Sequence, residues 1–203
     1  MQIEIGRISD GKFAAQDVSA MHELRYEVFR ERLRWDVKCE DRSEIDEFDA
    51  LDPTYMLVRG GAGEVCGCWR MLPTTGPYML KDVFPQLLCG QEAPADANVW
   101  ELSRFALGRH HGTANRFCDT SLQMMERLME FAIDRKIASF VTVTTVAIER
   151  LMKGLGIPMR RYGMPVQVGI ERTVAFSIAV SVQTLGLLRD RRAASAGCAR
   201  LAA

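Results

Sequence analysis

The sequence predicts a single-domain mixed α/β (α+β) sandwich, with one sheet packed by helices. Strand-like runs dominate the chain, and one long segment of 3.6-residue periodicity at 117–135 joins two of them, 98–107 and 138–146. Size agrees: 203 residues, 48% of them apolar, suffice for one sizeable core. No internal repeat and no composition break marks a second domain. The domain is expected over 1–188, with 189–203, rich in Arg and Ala, as a frayed tail.

Each element has a local reason. Residues 2–5 (QIEI) alternate as a first strand does. A helix is expected over 15–34, with Met21, Leu24 and Val28 on one stripe and Arg25, Phe29 and Leu33 on a neighbouring one. Residues 36–53 are acidic and read as irregular. TYMLVR (54–59) and EVCGCWRML (64–72) flank Gly60, Gly61 and Gly63, the signal of a hairpin. Prolines and glycines break 73–98 into loop and short helix. NVWELSRFAL (98–107) reads as a strand, and 108–116 as a polar loop. Cys118, Leu122, Met125, Leu128, Met129, Ala132 and Ile133 keep the helical period. ASFVTVTTV (138–146) is a buried strand rich in Val and Thr. A basic helix then runs to Leu155 and stops at Gly156 and Pro158, and PVQVGI (165–170) and RTVAFSIAV (172–180) give two more strands.

Twenty-six basic residues balance 26 acidic ones, which argues against a general nucleic-acid binder. No run approaches the roughly 20 apolar residues of a membrane-spanning helix. The charged N-terminus MQIEIGRISDGKF is unlike a secretory signal, so a cytoplasmic location is expected. Cys39, Cys66, Cys68, Cys89, Cys118 and Cys198 form no C-x-x-C pair, and the histidines are His22, His110 and His111. That set suits reduced, buried thiols better than a metal site, and no metal is expected.

Several charges stand inside apolar runs. Glu101, Ser103 and Arg104 lie within WELSRFAL, and Arg70 follows Trp69 near the end of another strand. Alternation puts Glu101 and Ser103 on one face and Arg104 on the other, unless a bulge intervenes. Buried charges need partners whatever they do, so an internal ion pair joining Arg70 or Arg104 to Glu101 or an upstream Asp is the structural alternative to a reactive site.

Arg25, Phe29, Trp35, Asp46, Asp49, Arg70, Phe84, Glu101, Ser103 and Arg104 match, in order and spacing, the signature of the acyl-homoserine-lactone synthases. The strings RYEVFRERLRWDV, EIDEFDALDPTYML, GCWRMLPTTGPYMLKDVFP, WELSRFAL, FVTVTTVAIERLMKGLGI and VGIERTVAF carry the same resemblance over about 1–188. The chain thus resembles the bacterial autoinducer synthases of quorum sensing.

The resemblance implies a fold related to the N-acetyltransferases (GNAT), in which two adjacent parallel strands splay and a pantetheine arm lies in the gap. Here those strands are expected to be WELSRFAL and FVTVTTV. It implies transfer of a fatty-acyl group to the amine of S-adenosylmethionine, then lactonisation with release of methylthioadenosine. S-adenosylmethionine is then a consumed substrate, and no cofactor is expected. An α-amino group with a pKa of about 8 is mostly protonated at neutral pH, so a carboxylate base is needed, directly or through a water. Glu101 is the first candidate, its pKa raised by Trp100, Leu102 and Phe105. The resemblance assigns Arg25, Phe29, Trp35, Ser103 and Arg104 to the S-adenosylmethionine pocket. Arg70, Asp46 and Asp49 complete the catalytic set, the two aspartates holding Arg70 and Arg104. Phe84, Phe105, Met125, Thr142 and Thr144 are candidates for the acyl pocket, and Thr144 is the threonine placed to meet an oxygen at acyl carbon 3.

The expected donor is an acyl carrier protein, which is acidic, with acyl-CoA as the other choice. Arg150, Lys153, Arg160 and Arg161 form a basic cluster suited to dock it; the plainer reading is a solvated helix face. The rival enzyme is an ordinary acetyl-CoA-dependent N-acetyltransferase, whose phosphate loop the stretch GRHHGTAN (108–115) does not reproduce. The rival of another class is a non-catalytic sensor of S-adenosylmethionine or an acyl ligand.

Overall fold

The computed structural model describes residues 1–109 and 119–201, from 195 onward by backbone alone. The histidines His110 and His111, Cys118 and most of the loop expected at 108–116 lie outside the described residues, as does the Cys198 side chain.

The chain begins with β1 (Gln2–Arg7) and α1 (Ala15–Arg25), which passes directly into a π-helical segment, Tyr26–Arg32. A small hairpin of β2 (Cys39–Glu40) and β3 (Ser43–Glu44) follows, then a 3-10 turn, Asp49–Leu51. Next come β4 (Thr54–Arg59), β5 (Val65–Pro73), α2 (Met79–Asp82), a 3-10 turn Pro85–Leu88 and β6 (Val99–Leu107). The remainder is α3 (Asp119–Asp134), β7 (Ser139–Thr145), α4 (Val146–Gly154), β8 (Met159–Arg161), β9 (Val166–Val168), β10 (Glu171–Ala179) and α5 (Val182–Leu201).

The main sheet has the order β1-β4-β5-β6-β7-β10-β8, with β9 also on β10. Among the described strands only β6 and β7 pair in parallel, and the crossover between them contains α3. Their register runs from Val99 opposite Ser139 to Leu102 opposite Thr142 and stops there. Residues 103–107 and 143–145 continue as strands paired only on their outer sides, to β5 and β10. The two strands part at the centre of the sheet, as expected for WELSRFAL and FVTVTTV.

Alternation sorts the core onto two faces. Met56, Val58, Trp69, Met71, Leu102, Phe140 and Phe176 meet Met124, Met125, Leu128 and Met129 of α3 and Leu185 and Leu188 of α5. On the other face Tyr55, Leu57, Cys68 and Ala106 meet Met21, Leu24, Val28 and Phe29. Leu72, Val141 and Ala175 extend that face beneath Tyr78, Met79 and Leu80. The β4–β5 hairpin closes through Gly60 N donating to Glu64 O at 2.9 Å, and Gly63 at φ 89° supplies a left-handed turn position.

Four differences from expectation have local causes. The helix expected over 15–34 leaves α-geometry after Arg25, where Leu33 N bonds Val28 O, five residues back, at 2.9 Å. The acidic segment contains the β2–β3 hairpin, whose two-residue strands show no periodicity to read. β8 is three residues of mostly charged sequence, and only its pairing with β10 makes it a strand. The final helix passes through the segment expected to separate from 189, with Arg189 Nη2 at 2.7 Å from Glu130 and Arg192 Nε at 2.8 Å from Glu126 of α3.

Candidate active site

β6 carries the site, and a bulge in it decides the geometry. Arg70 pairs with Ser103 but Cys68 pairs with Ala106, so β6 has one residue more than β5 across this stretch. Arg104 takes up the slack at φ 56°, a left-handed conformation unusual for a side-chain-bearing residue. Beyond it the alternation is reversed, so that Phe105 and Leu107 face α3 with Leu102, and Ala106 faces α1. Arg104 is thereby turned to the same face as Ser103 and Glu101, correcting the opposite placement that plain alternation gives.

Two buried arginines, one partly buried arginine and three carboxylates form a closed cage on that face. Arg25, fully buried, donates from Nε to Glu44 and from Nη1 and Nη2 to the two Asp49 oxygens at 2.8 Å each. Arg70, also fully buried, forks onto Asp46, reaches Asp49 Oδ1 at 2.8 Å, and donates from Nε to Ser103 Oγ at 3.1 Å. Arg104 spans Glu44 Oε1 at 2.9 Å and Asp46 Oδ2 at 2.7 Å. Tyr55 Oη adds a bond to Asp49, and the His22 ring Nδ1 lies 3.0 Å from Glu44 O. Asp49 is held well below the ordinary carboxylate range: its burial is outweighed by the Arg25 hydrogen bonds and by the charges of Arg25 and Arg70. Burial, then the Arg25 charge, pushes His22 down, so its ring is neutral at neutral pH.

The two aspartates therefore do hold arginines, with one correction: Asp49 serves Arg70 and Arg25, and Arg104 is held by Asp46 and Glu44. Arg25 has its guanidinium bonded to Glu44 and Asp49 inside the cage. Phe29 stacks on Trp35 with centroids 5.3 Å apart, and Arg104 lies over the Phe29 ring at 5.4 Å. Phe29 is buried, and Trp35 is partly exposed.

Glu101 stands outside the cage. It is 1% exposed and forms no ion pair among the described residues. Its oxygens accept the backbone N–H of Met79 at 3.0 Å and of Leu80 at 2.6 Å. Burial raises its pKa to about 7, against which those two amides and then Arg70 and Arg104 act in the other direction. The apolar shell is not the expected one. Leu102 and Phe105 face α3, and Glu101 is enclosed instead by the side of the sheet carrying Leu72, Val141, Met79 and Leu80. The internal ion-pair alternative thus applies to Arg70 and Arg104 and fails for Glu101.

The remaining candidates divide. Phe84 is half-buried against the Tyr78–Leu80 cluster, near Glu101. Phe105 tilts on Trp69 at 4.8 Å, and Met125 is core on the α3 face. Thr142 Oγ1 donates to Leu102 O at 2.9 Å, at the last paired position before the strands part. Thr144 lies two residues further on the same face, half-buried, its hydroxyl without a partner among the described residues. The basic cluster is thinner than the sequence suggests. Glu149, fully buried, binds Arg161 in two bonds and Lys153 at 2.9 Å, and the Arg161 bonds hold its pKa down to about 2. Arg150 and Arg160 are exposed and form no ion pair among the described residues.

Sequence reasoning missed Glu44, Tyr55, His22 and Met79 as parts of the site. Glu44 alone had a signal: three arginines inside apolar elements require a third carboxylate beyond Asp46 and Asp49.

A family model described as "Autoinducer synthase" matches residues 11–185. An acyl-homoserine-lactone synthase of Pseudomonas aeruginosa is 44% identical over 186 residues, spanning 91% of this chain and 92% of that one. The structure of the AHL synthase LasI is 43% identical with a TM-score of 0.83, covering 92% and 93% of the two chains. That of BjaI, a CoA-dependent acyl-homoserine lactone synthase with SAM and isopentyl-CoA, is 28% identical with a TM-score of 0.85, covering 94% and 89%. An N-acetyltransferase from Lactobacillus plantarum, 14% identical with a TM-score of 0.61 over 89% and 98%, shares the fold.

Proposed function

This chain belongs to the autoinducer synthase family and is an acyl-homoserine-lactone synthase, an acyltransferase; we propose that it takes its acyl group from an acyl carrier protein and that Glu101 is the general base of amide formation. The carrying observation is the isolation of Glu101. A buried carboxylate with a pKa of about 7 and no cation paired with it among the described residues can accept a proton at neutral pH and release it again.

The amine of S-adenosylmethionine loses its proton to Glu101, directly or through a water, and attacks the thioester carbonyl. The nitrogen–carbon bond forms, and the carrier leaves as its thiol. The substrate carboxylate then attacks its own γ-carbon and expels methylthioadenosine, closing the lactone ring. This second step is intramolecular, so a held, curled conformer supplies much of its rate. Phe29 already has Arg104 over its ring, which leaves the partly exposed Trp35 face for the sulfonium. Ser103 and Arg104 border the same pocket, and Arg25 acts through the cage. Strand groups left unpaired at 103 and 143 supply donors and acceptors for the pantetheine amides and the thioester carbonyl. Thr144, whose hydroxyl has no partner among the described residues, suits an oxygenated acyl carbon 3. S-adenosylmethionine is consumed, and no cofactor enters the scheme.

Arg150 and Arg160 support an acidic carrier as donor. Acyl-CoA is the second reading, favoured by the likeness to the CoA-dependent BjaI. The cytoplasm is the compartment proposed; no described helix is long and apolar enough to cross a membrane. Purified protein supplied with S-adenosylmethionine and acyl carrier protein should release methylthioadenosine and carrier thiol in equal amounts. Faster turnover with acyl-CoA at matched concentration would move the donor to CoA, and neither product with any donor would end the scheme.

A further inference from the structure

One side chain touches both charge systems of the site. The Met79 backbone N–H donates to Glu101 Oε2 at 3.0 Å. Its sulfur lies 3.2 Å from Arg70 Nη2 and 3.5 Å from Arg104 Nη1. Met79 is 7% exposed and sits in α2, a helix of four residues behind Tyr78. Tyr78 is fixed in turn, its N–H to Asp82 at 3.0 Å and its hydroxyl to Pro94 O at 2.6 Å. Met79 thus cannot drift without moving the amides that hold Glu101.

We infer that Met79 is a positioning residue for this reaction: its thioether occupies the place from which the Arg70 and Arg104 guanidiniums would otherwise close on the Glu101 carboxylate. A thioether is a weak acceptor and a polarizable apolar group, so it satisfies one donor of each guanidinium without giving Glu101 a cation. An arginine allowed onto Glu101 would form a charge-assisted pair and end its service as a base. The groups facing Glu101 are Arg70 from β5, Arg104 from β6 and the Tyr78 phenol ahead of α2, which burial pushes well above the usual phenol range and keeps uncharged; β7 presents Val141.

The inference rests on Glu101 being the base, and the test separates the two. Infrared difference spectra of the carboxyl band, assigned by its loss in Glu101→Gln, follow the protonation of Glu101 against pH without turnover. In the unaltered protein the midpoint is expected near 7. Met79→Ala should lower it by about one unit or more, a tenfold change in protonation. Met79→Val removes the reach of the sulfur with less loss of volume and should do the same, should the alanine variant not fold. Met79→Leu, which keeps the bulk, should leave the midpoint in place. Adding Arg104→Gln or Arg70→Gln to the shortened variant should restore the midpoint if a guanidinium is the cause. An unchanged midpoint in both shortened variants overturns the role of Met79, as does a lowered midpoint that neither Arg104→Gln nor Arg70→Gln raises, which would mark entry of water. An ordinary carboxylate midpoint in the unaltered protein would instead overturn Glu101 as the base.

Discussion

The arginine–carboxylate cage and the Glu101 carboxylate share one face of one sheet, and Glu101 and Arg104 are three positions apart on β6. Both lie largely out of solvent, Glu101 the more completely, yet the chemistry diverges. In the cage every charge has an opposite charge within hydrogen-bonding distance, so Asp49 is held ionised far below neutrality. Glu101 receives two neutral amides and no cation, and burial raises it to about 7. Burial alone therefore does not make a buried acid reactive; the absence of a paired cation does. The cage fixes geometry because its protons cannot move, and Glu101 is suited to catalysis because its proton can.

Glu101→Gln is the sharpest way to break the comparison. It keeps the side chain's shape but only one of the two backbone-amide bonds, since the carboxamide nitrogen cannot accept from the Met79 or Leu80 N–H, and it should lower turnover by about 10²–10⁴. S-adenosylmethionine affinity, measured by calorimetry, should stay near the original. An unaffected turnover would remove the functional distinction between the two regions.

Asp49→Asn strikes the cage instead, leaving Arg25 and Arg70 short of charge in a buried setting. Loss of one partner of such a pair typically costs about 3–5 kcal/mol, which a denaturant titration reads directly. A loss of turnover with unchanged stability would contradict the cage's structural role.

pH separates the regions further. Turnover limited by amide formation should rise through about pH 7 as Glu101 ionises. Asp49 has a depressed folded pKa, so its contribution to stability is present above the ordinary carboxylate range and is lost only as pH falls through the lower folded value. Glu101 has the opposite sign. Between its ordinary 4.5 and about 7 the folded state binds the extra proton, and stability falls as pH rises through that window. Glu101→Gln should therefore raise the melting temperature at pH 8 more than at pH 5, and an equal effect at both would refute the raised pKa.

The smallest effect is expected at the surface. Arg150→Glu with Arg160→Glu should raise KM for the acyl-carrier donor several-fold at low salt, and added salt should narrow the gap. A salt-insensitive KM would reject electrostatic docking there. Arg161→Glu should instead destabilise the protein through Glu149, because that arginine is already engaged.

The sequence by itself determined the order of the longer strands and helices up to residue 180, the hairpin at Gly60–Gly63 and the charged residues stranded in apolar runs. Those follow from periodicity and from the cost of burying charge, which local composition displays. The resemblance to the family, combined with the strand order, also marked 98–107 and 138–146 as the strands that part. Tertiary structure alone decided who pairs with whom. Which carboxylate meets which arginine depends on contacts 19 to 60 residues apart, and Glu44 entered only through them. The extra residue at Arg104 reverses the face that alternation assigns, since a bulge is set by the register between strands and leaves no mark on the pattern of one strand. The shell of Glu101 and the sulfur of Met79 against two guanidiniums likewise exist only once α2 is laid across the sheet.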